Sequence, residues 1–207
     1  MSWHNDQVSA AETAKIIDLA KACLSLEGDY VELGCYKGDT SLLLAEVLKE
    51  FNSTPVENSV EKSAKKLWIY DSFEGLPTKS SKDTSELGIL FQAGELAITK
   101  REVKQRFLRA NLPVPVIKKK WFCDLTSADL PDKIAFAFLD GDFYESIRDS
   151  LHAISGKMTG GSIIIVHDYA NPALPGVAKA VDEWWSDSIG QLSLYHTMAI
   201  ITLNKNR

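Results

Sequence analysis

The sequence predicts an α/β fold: a doubly wound, mostly parallel sheet with an antiparallel edge, covered on both faces by helices. Near-continuous apolar runs, above all Ile134 to Leu139 and Ser162 to Val166, read as strands buried on both faces. Such runs alternate with segments of helical apolar spacing, the beat of a parallel sheet with crossover helices. The last two runs, Gln191 to Tyr195 and Met198 to Leu203, are separated by so little chain that a terminal antiparallel pair suits them. No repeat or dividing linker interrupts the pattern, so residues 1–207 read as one domain, with 1–28 an N-terminal helical segment and 29–207 the sheet and its helices.

The elements follow in order. Ser9-Ala-Ala-Glu12 is a capping box, in which hydroxyl and carboxylate satisfy each other's orphan backbone donors. The helix it opens carries Ile16, Ile17, Ala20, Cys23 and Leu24 at helical spacing, with Gly28 as its stop. Tyr30 to Leu33 is a short β-prone run, followed by the turn Gly34-Cys-Tyr-Lys-Gly38 and a helix from Thr40 to Phe51. Residues 52–66 are polar and aperiodic, an exposed connection into the strand Leu67 to Tyr70, which ends at Asp71. Pro77 to Gly88 has almost nothing to bury and reads as a mobile surface loop. Thr99-Lys-Arg-Glu102 is a second capping box, opening a helix to about Ala110, and Pro113 to Ile117 leads into a strand. Helices with Ile147, Leu151 and Ile154, and from Val177 to Trp185, complete the alternation.

Composition narrows the function. Of 207 residues 45% are hydrophobic and 25% charged, with 12 Gly and 7 Pro, the profile of a soluble globular protein. A net charge of −5 argues against a broad grip on nucleic acid or anionic lipid and favours a small-molecule partner. No apolar run approaches the ~20 residues that span a bilayer. Residues 1–20 lack a basic start followed by an apolar stretch, so no signal peptide is visible and a cytoplasmic location is expected. Cys23, Cys35 and Cys123 are odd in number and lack CxxC spacing, which fits reduced thiols filling a core.

In open α/β sheets ligands lie off the carboxyl ends of the strands. Those ends supply Glu32 with Gly34, Asp71, Asp124 after Trp121-Phe-Cys123, Asp140 with Asp142, and His167 with Asp168. The turn Glu32-Leu-Gly-Cys-Tyr-Lys-Gly38 misses the G-x-G-x-x-G pattern, which argues against a dinucleotide. An acid before the turn suits a cationic ligand, and Asp71 at the end of the second strand suits ribose hydroxyls. Together they point to a nucleoside without phosphates. Charged residues also end buried strands simply to reach water, so each acid has a bland reading too.

Four blocks carry a family resemblance: Val31-Glu-Leu-Gly-Cys-Tyr-Lys-Gly38, Tyr70-Asp-Ser-Phe-Glu-Gly-Leu-Pro77, Leu139-Asp-Gly-Asp-Phe-Tyr-Glu-Ser146 and Gly160-Gly-Ser-Ile-Ile-Ile-Val-His-Asp-Tyr169. With Gly176 and Ala180 to Trp184 behind them, the chain from about 28 to 185 resembles the macrocin O-methyltransferase (TylF/MycF) family. The resemblance implies a Rossmann-like class I S-adenosylmethionine (SAM) methyltransferase fold with a seven-stranded, three-layer architecture. It implies O-methylation of a sugar or other hydroxylated small molecule, assisted by a divalent metal, usually magnesium. It puts Glu32, Gly34 and Gly38 near the methionine part of the cofactor, Asp71 and Ser72 near the ribose, and Asp124 near the adenine. It gives the metal to Asp140, His167 and Asp168.

The chain departs from the family at His167, where Asp is usual. Imidazole replaces a hard oxygen, so either the preference moves from magnesium toward manganese or similar ions, or His167 has left the coordination shell. His167 then reads as a ligand, as a metal-independent general base, or as a hydrogen-bonded histidine at a strand end. Asp142 is the candidate general base, with a helix N-cap as its structural alternative. A metal held by Asp140, His167 and Asp168 would bind the substrate hydroxyl, lower its pKa and aim its oxygen at the methyl group. A non-catalytic or metal-independent ligand-binding protein on the same scaffold is the second functional reading. Lys118-Lys-Lys120 reads as a solvated strand edge, Trp184 and Trp185 by default as packing, with a substrate pocket or subunit contact as the alternative, and His4, His152 and His196 as structural. Homo-oligomerisation is compatible with such a fold, and the sequence shows no interface.

Overall fold

The computed structural model describes residues 7–55, 63–87 and 91–205. His4, Gly88 and the middle of the 52–66 connection lie outside them. Seven strands form one sheet: β1 (Asp29–Leu33), β2 (Leu67–Asp71), β3 (Val116–Lys119), β4 (Ile134–Leu139), β5 (Met158–Val166), β6 (Gly190–Tyr195) and β7 (Met198–Leu203), in the order β3-β2-β1-β4-β5-β7-β6. The first five run parallel, and β7 is antiparallel to both β5 and β6. Helices α1 (Ala10–Ala22), α2 (Asp39–Ser53), α3 (Lys100–Arg109), α4 (Tyr144–Ser155) and α5 (Pro175–Trp184) complete the fold.

The two faces of the sheet are covered by different helices, giving three layers. Ile16, Leu42, Leu48, Val103 and Phe107 of α1, α2 and α3 pack with Tyr30, Phe136 and Phe138 on one side. Ile147, Leu151, Val177 and Val181 of α4 and α5 pack with Val31, Ala137 and Ile164 on the other. Alternate residues of β1 and β4 thus serve opposite cores, which is why these strands read as unbroken apolar runs. Phe136 and Phe138 are fully buried, each contributing about 2–3 kcal/mol. No helix among the described residues is long and apolar enough to cross a membrane.

Register positions the site. Leu33 lies opposite both Tyr70 and Leu139, and Leu139 opposite Val166. Gly34, Asp71, Asp140 and His167 therefore emerge together at the carboxyl edge. Gly34 has φ +90, and a Cβ there would come 2.0 Å from the Asp140 carbonyl, so only glycine lets β1 and β4 end so close together.

Several local expectations are corrected. The first helix stops at the Cys23 C-cap. Gly28 instead enters β1, where a Cβ would meet the Lys133 backbone at 2.7 Å. Trp121 to Cys123 do not end a strand: β3 stops at Lys119 and Phe122–Asp124 is a 3-10 turn. Cys123 is exposed, unlike Cys23 and Cys35, so it is not core filler. The Pro77 to Gly88 segment is anchored over its described part. Ser81–Asp83 forms a 3-10 turn in which buried Asp83 accepts from Ser80 and, at 2.7 Å, from the Tyr144 N–H at the start of α4. Trp184 and Trp185 are half-buried and donate to Ser155 Oγ at 3.0 Å and Gly190 O at 3.2 Å, as packing residues do. His152 and His196 lie on the surface. Lys118 and Lys120 pair with Asp129, and Lys119 with Glu74, on the edge strand β3 and just past it.

Candidate functional site

A cleft open to solvent lies across the carboxyl ends of β1, β2, β4 and β5. One end is a tight polar cluster. His167, 5% exposed, places Nδ1 3.1 Å from Asp140 Oδ1 and 3.1 Å from Asp168 Oδ2. Burial alone would push the imidazole down, but the two carboxylates hold its pKa up at about 11. Asp142 and Asp168 sit at φ +61 and +59, a backbone region costing about 1–3 kcal/mol for residues other than glycine. That strain turns both carboxylates into the cleft wall. Burial, then the neighbouring Asp140 and Asp168 charges, raise the Asp142 carboxyl well above its usual range. Asp142 does not cap α4: the N-cap is Phe143, and the first N–H is taken by Asp83.

The donor atoms of Asp140, His167 and Asp168 lie within 4.8 Å of one another. Adjacent ligands on an octahedral ion with bonds of ~2.1–2.2 Å are about 3 Å apart, so the two 3.1 Å separations fit a divalent cation. One nitrogen among two oxygens suits manganese better than magnesium. The same distances also suit an imidazolium donating between two carboxylates.

Of the remaining sequence-predicted residues, Gly34, Asp71 and Ser72 line the cleft. Asp71 is already engaged: Oδ2 accepts from Cys35 N at 3.0 Å and Tyr36 N at 3.3 Å, and Oδ1 from Phe73 N at 2.7 Å. It ties the first turn to the second. Ser72 Oγ donates to Gly75 O and accepts from Glu74 N, each at 3.1 Å. Glu32 lies beneath the cleft, 1% exposed and bonded to Ser41. Burial first, with Asp140, Asp71 and Asp39 adding, raises it to about 8 against the Ser41 bond. Gly38 is the left-handed N-cap of α2 and does not line the cleft. Asp124 is exposed and is not brought to the cleft, because the 3-10 turn presents Trp121, Phe122 and Cys123 instead.

Sequence reasoning missed Gln7, Ser146 and Asp149, which also line the cleft. Helical spacing was the available signal for the last two: Ile147, Leu151 and Ile154 face the core, which turns Ser146 and Asp149 to the other side of α4. Nothing in the sequence marked Gln7, which is held near the cleft through α1. Thr197 donates to Glu12 Oε1 through N at 3.0 Å and Oγ1 at 2.6 Å, and its carbonyl accepts from Ala170 N at 3.0 Å. Six carboxylates line the cleft, and among the described residues no lysine or arginine does.

Known proteins resemble the chain at the level of sequence and fold. The family model described as macrocin-O-methyltransferase (TylF) matches residues 16–191. An 8-demethyl-8-(2,3-dimethoxy-alpha-L-rhamnosyl)-tetracenomycin-C 4'-O-methyltransferase of Streptomyces olivaceus is 30% identical over 148 residues, 69% of this chain and 53% of that protein. A demethyldecarbamoylnovobiocin O-methyltransferase of Streptomyces niveus is 27% identical over 165 residues, 77% of this chain and 59% of that protein. The matches thus span little more than half the length of these relatives. Among solved structures, the O-methyltransferase NovP superposes with a TM-score of 0.80 at 23% identity, covering 97% of this chain and 83% of that one. The calicheamicin methyltransferase CalS11 gives 0.73 at 19% identity, covering 92% and 78%. At these identities the structural likeness shows a class I SAM methyltransferase fold.

Proposed function

The chain belongs to the macrocin-O-methyltransferase (TylF) family, and on that premise we propose that it is a SAM-dependent O-methyltransferase acting on a hydroxyl of a small sugar-type or other natural-product acceptor. The observation that carries this reading is the convergence of Asp140, Asp142, His167 and Asp168 in a cleft off the carboxyl ends of the parallel strands. When bound, SAM supplies an electrophilic methyl group. A divalent ion held by Asp140, His167 and Asp168, manganese in preference to magnesium, supplies Lewis acidity that lowers the pKa of a hydroxyl.

The chain's own residues do the rest. Asp142, at the cleft wall beside the cluster, takes the hydroxyl proton. The cluster beside it fixes the direction from which an acceptor oxygen approaches. Gly34 lets the backbone of the first turn come close to a ligand, and Asp71 holds that turn to the loop after β2. With six carboxylates and no lysine or arginine along the described wall, the acceptor is uncharged or cationic rather than phosphorylated. The enzyme is read as cytoplasmic, with no nucleic-acid partner.

A metal-independent transferase is the second reading, favoured by the position of His167 Nδ1 between two carboxylates, where a proton already does the bridging. The test is transfer of labelled methyl from SAM to a panel of hydroxylated glycosides and phenols, with and without chelator. Labelled product formed by the wild type and lost in Asp142→Asn is expected. Equal labelling by wild type and variant, or none across the panel, would overturn the proposal.

A further inference from the structure

The cleft continues past Gly141 from the His167 cluster into a second polar stretch. Trp121 follows β3 and His167 follows β5, and the sheet order puts β2, β1 and β4 between them. The 3-10 turn after β3 folds back toward α4, so that Phe122 Cε2 and Ser146 Cβ lie 3.4 and 2.9 Å from where a Cβ on Gly141 would stand, between Asp140 and Asp142. Half-buried Trp121 and Phe122 supply flat apolar surface there. Facing them on α4 are Ser146 and Asp149, three residues apart and therefore on one face of the helix. Asp149 Oδ1 takes Arg148 Nε and Nη2, both at 2.8 Å, which fixes the carboxylate and leaves Oδ2 without a hydrogen bond among the described residues. Ser146 Oγ likewise makes none there. Asp124, the acid that the family resemblance put near adenine, is exposed and outside the cleft.

We propose that this edge of α4 reads the purine, with Asp149 Oδ2 accepting from the exocyclic amine of adenine and Ser146 Oγ donating to a ring nitrogen. The inference rests on the proposed function, because it takes the bound nucleoside to be that of SAM. It makes Asp149 a specificity-determining residue. A carboxylate accepts from an amine but meets only lone pairs on the 6-oxo group of hypoxanthine, so the two purines are sharply separated.

The experiment is calorimetric titration of S-adenosyl-L-homocysteine and S-inosyl-L-homocysteine into wild type, Asp149→Asn, Ser146→Ala and Asp124→Asn, with thermal unfolding of each variant as a check on folding. Wild type is expected to favour the adenine ligand by about 10-fold or more, the scale of one hydrogen bond to a charged group. Asp149→Asn should abolish or reverse that preference, because its amide can donate to the 6-oxo oxygen. Ser146→Ala should weaken both ligands together and leave their ratio unchanged, and Asp124→Asn should behave as wild type. An Asp149→Asn protein that is folded and keeps the full preference overturns the inference while leaving the proposed function standing, as does loss of the preference in Asp124→Asn alone. Failure of wild type to bind S-adenosyl-L-homocysteine at all overturns the proposed function, and this inference with it.

Discussion

Replacing Asp71 with asparagine changes one atom and breaks a junction. The carboxylate accepts three backbone N–H bonds: from Cys35 and Tyr36 at 3.0 and 3.3 Å on one oxygen, and from Phe73 at 2.7 Å on the other. Asparagine has one acceptor oxygen, so whichever way the amide turns, an NH₂ faces at least one N–H. The lost bond leaves a half-buried donor unsatisfied, costing about 1–3 kcal/mol. The surviving bonds fall from charged to neutral, which costs about 0.5–1 kcal/mol more. A total of about 1.5–4 kcal/mol corresponds to a Tm drop of ~3–16 °C for a chain of this size. The two turns it joins carry Gly34, Tyr36 and Ser72 into the cleft, so affinity for S-adenosyl-L-homocysteine should fall by about 10-fold or more. Differential scanning calorimetry with and without the ligand measures both. A variant with unchanged Tm and unchanged affinity would refute the junction and return Asp71 to a surface acid at a strand end.

Glu12→Ala removes four accepted bonds, two from Ser9 and two from Thr197, and should cost about 2–4 kcal/mol by chemical denaturation. Burial raises the Glu12 carboxyl, but its Ser9 and Thr197 bonds lower it from 4.5 to about 2. Its contribution is therefore complete above pH 4.5 and lost as pH falls toward 2, so wild type and variant should converge in stability at the acid end; a difference constant from neutral pH to 2 would contradict this. Gly176→Ala would put a Cβ 1.9 Å from Asp83 Oδ1 and 2.9 Å from Tyr144 Cβ. It should expel Asp83 from the start of α4 and speed tryptic cleavage at Lys79 or Lys82, while an unchanged digestion rate would mean the segment is not held there. His167→Asp restores an all-oxygen donor set and should move the preference from manganese toward magnesium in metal titrations. Equal selectivity in variant and wild type would place the imidazole outside the coordination shell.

Strand and helix placement was legible because the apolar runs have the length and flanking acids of buried parallel strands, and because Ser9-Glu12 and Thr99-Glu102 both form their capping boxes. The carboxyl-edge cluster was legible for the same reason: strand ends in register bring Asp140 and His167 together whatever lies between them in sequence. Asp124 was not, because a 3-10 turn replaces the expected strand end and rotates the acid outward. The docking of Asp83 could not be read from a polar segment, since its partner is a helix N–H sixty-one residues away. Gln7 lines the cleft just before α1, whose anchor to Thr197 spans 185 residues. Contacts of that range leave no local pattern to read.

The central claim is that the cleft takes the SAM nucleoside with the acid and histidine cluster at its transfer end. Titration of S-adenosyl-L-homocysteine into chelator-treated protein, repeated after adding magnesium and then manganese, tests it most directly. Micromolar binding, together with a separate binding heat for manganese that disappears in Asp140→Asn, is the result predicted. No nucleoside binding under any condition would contradict the account.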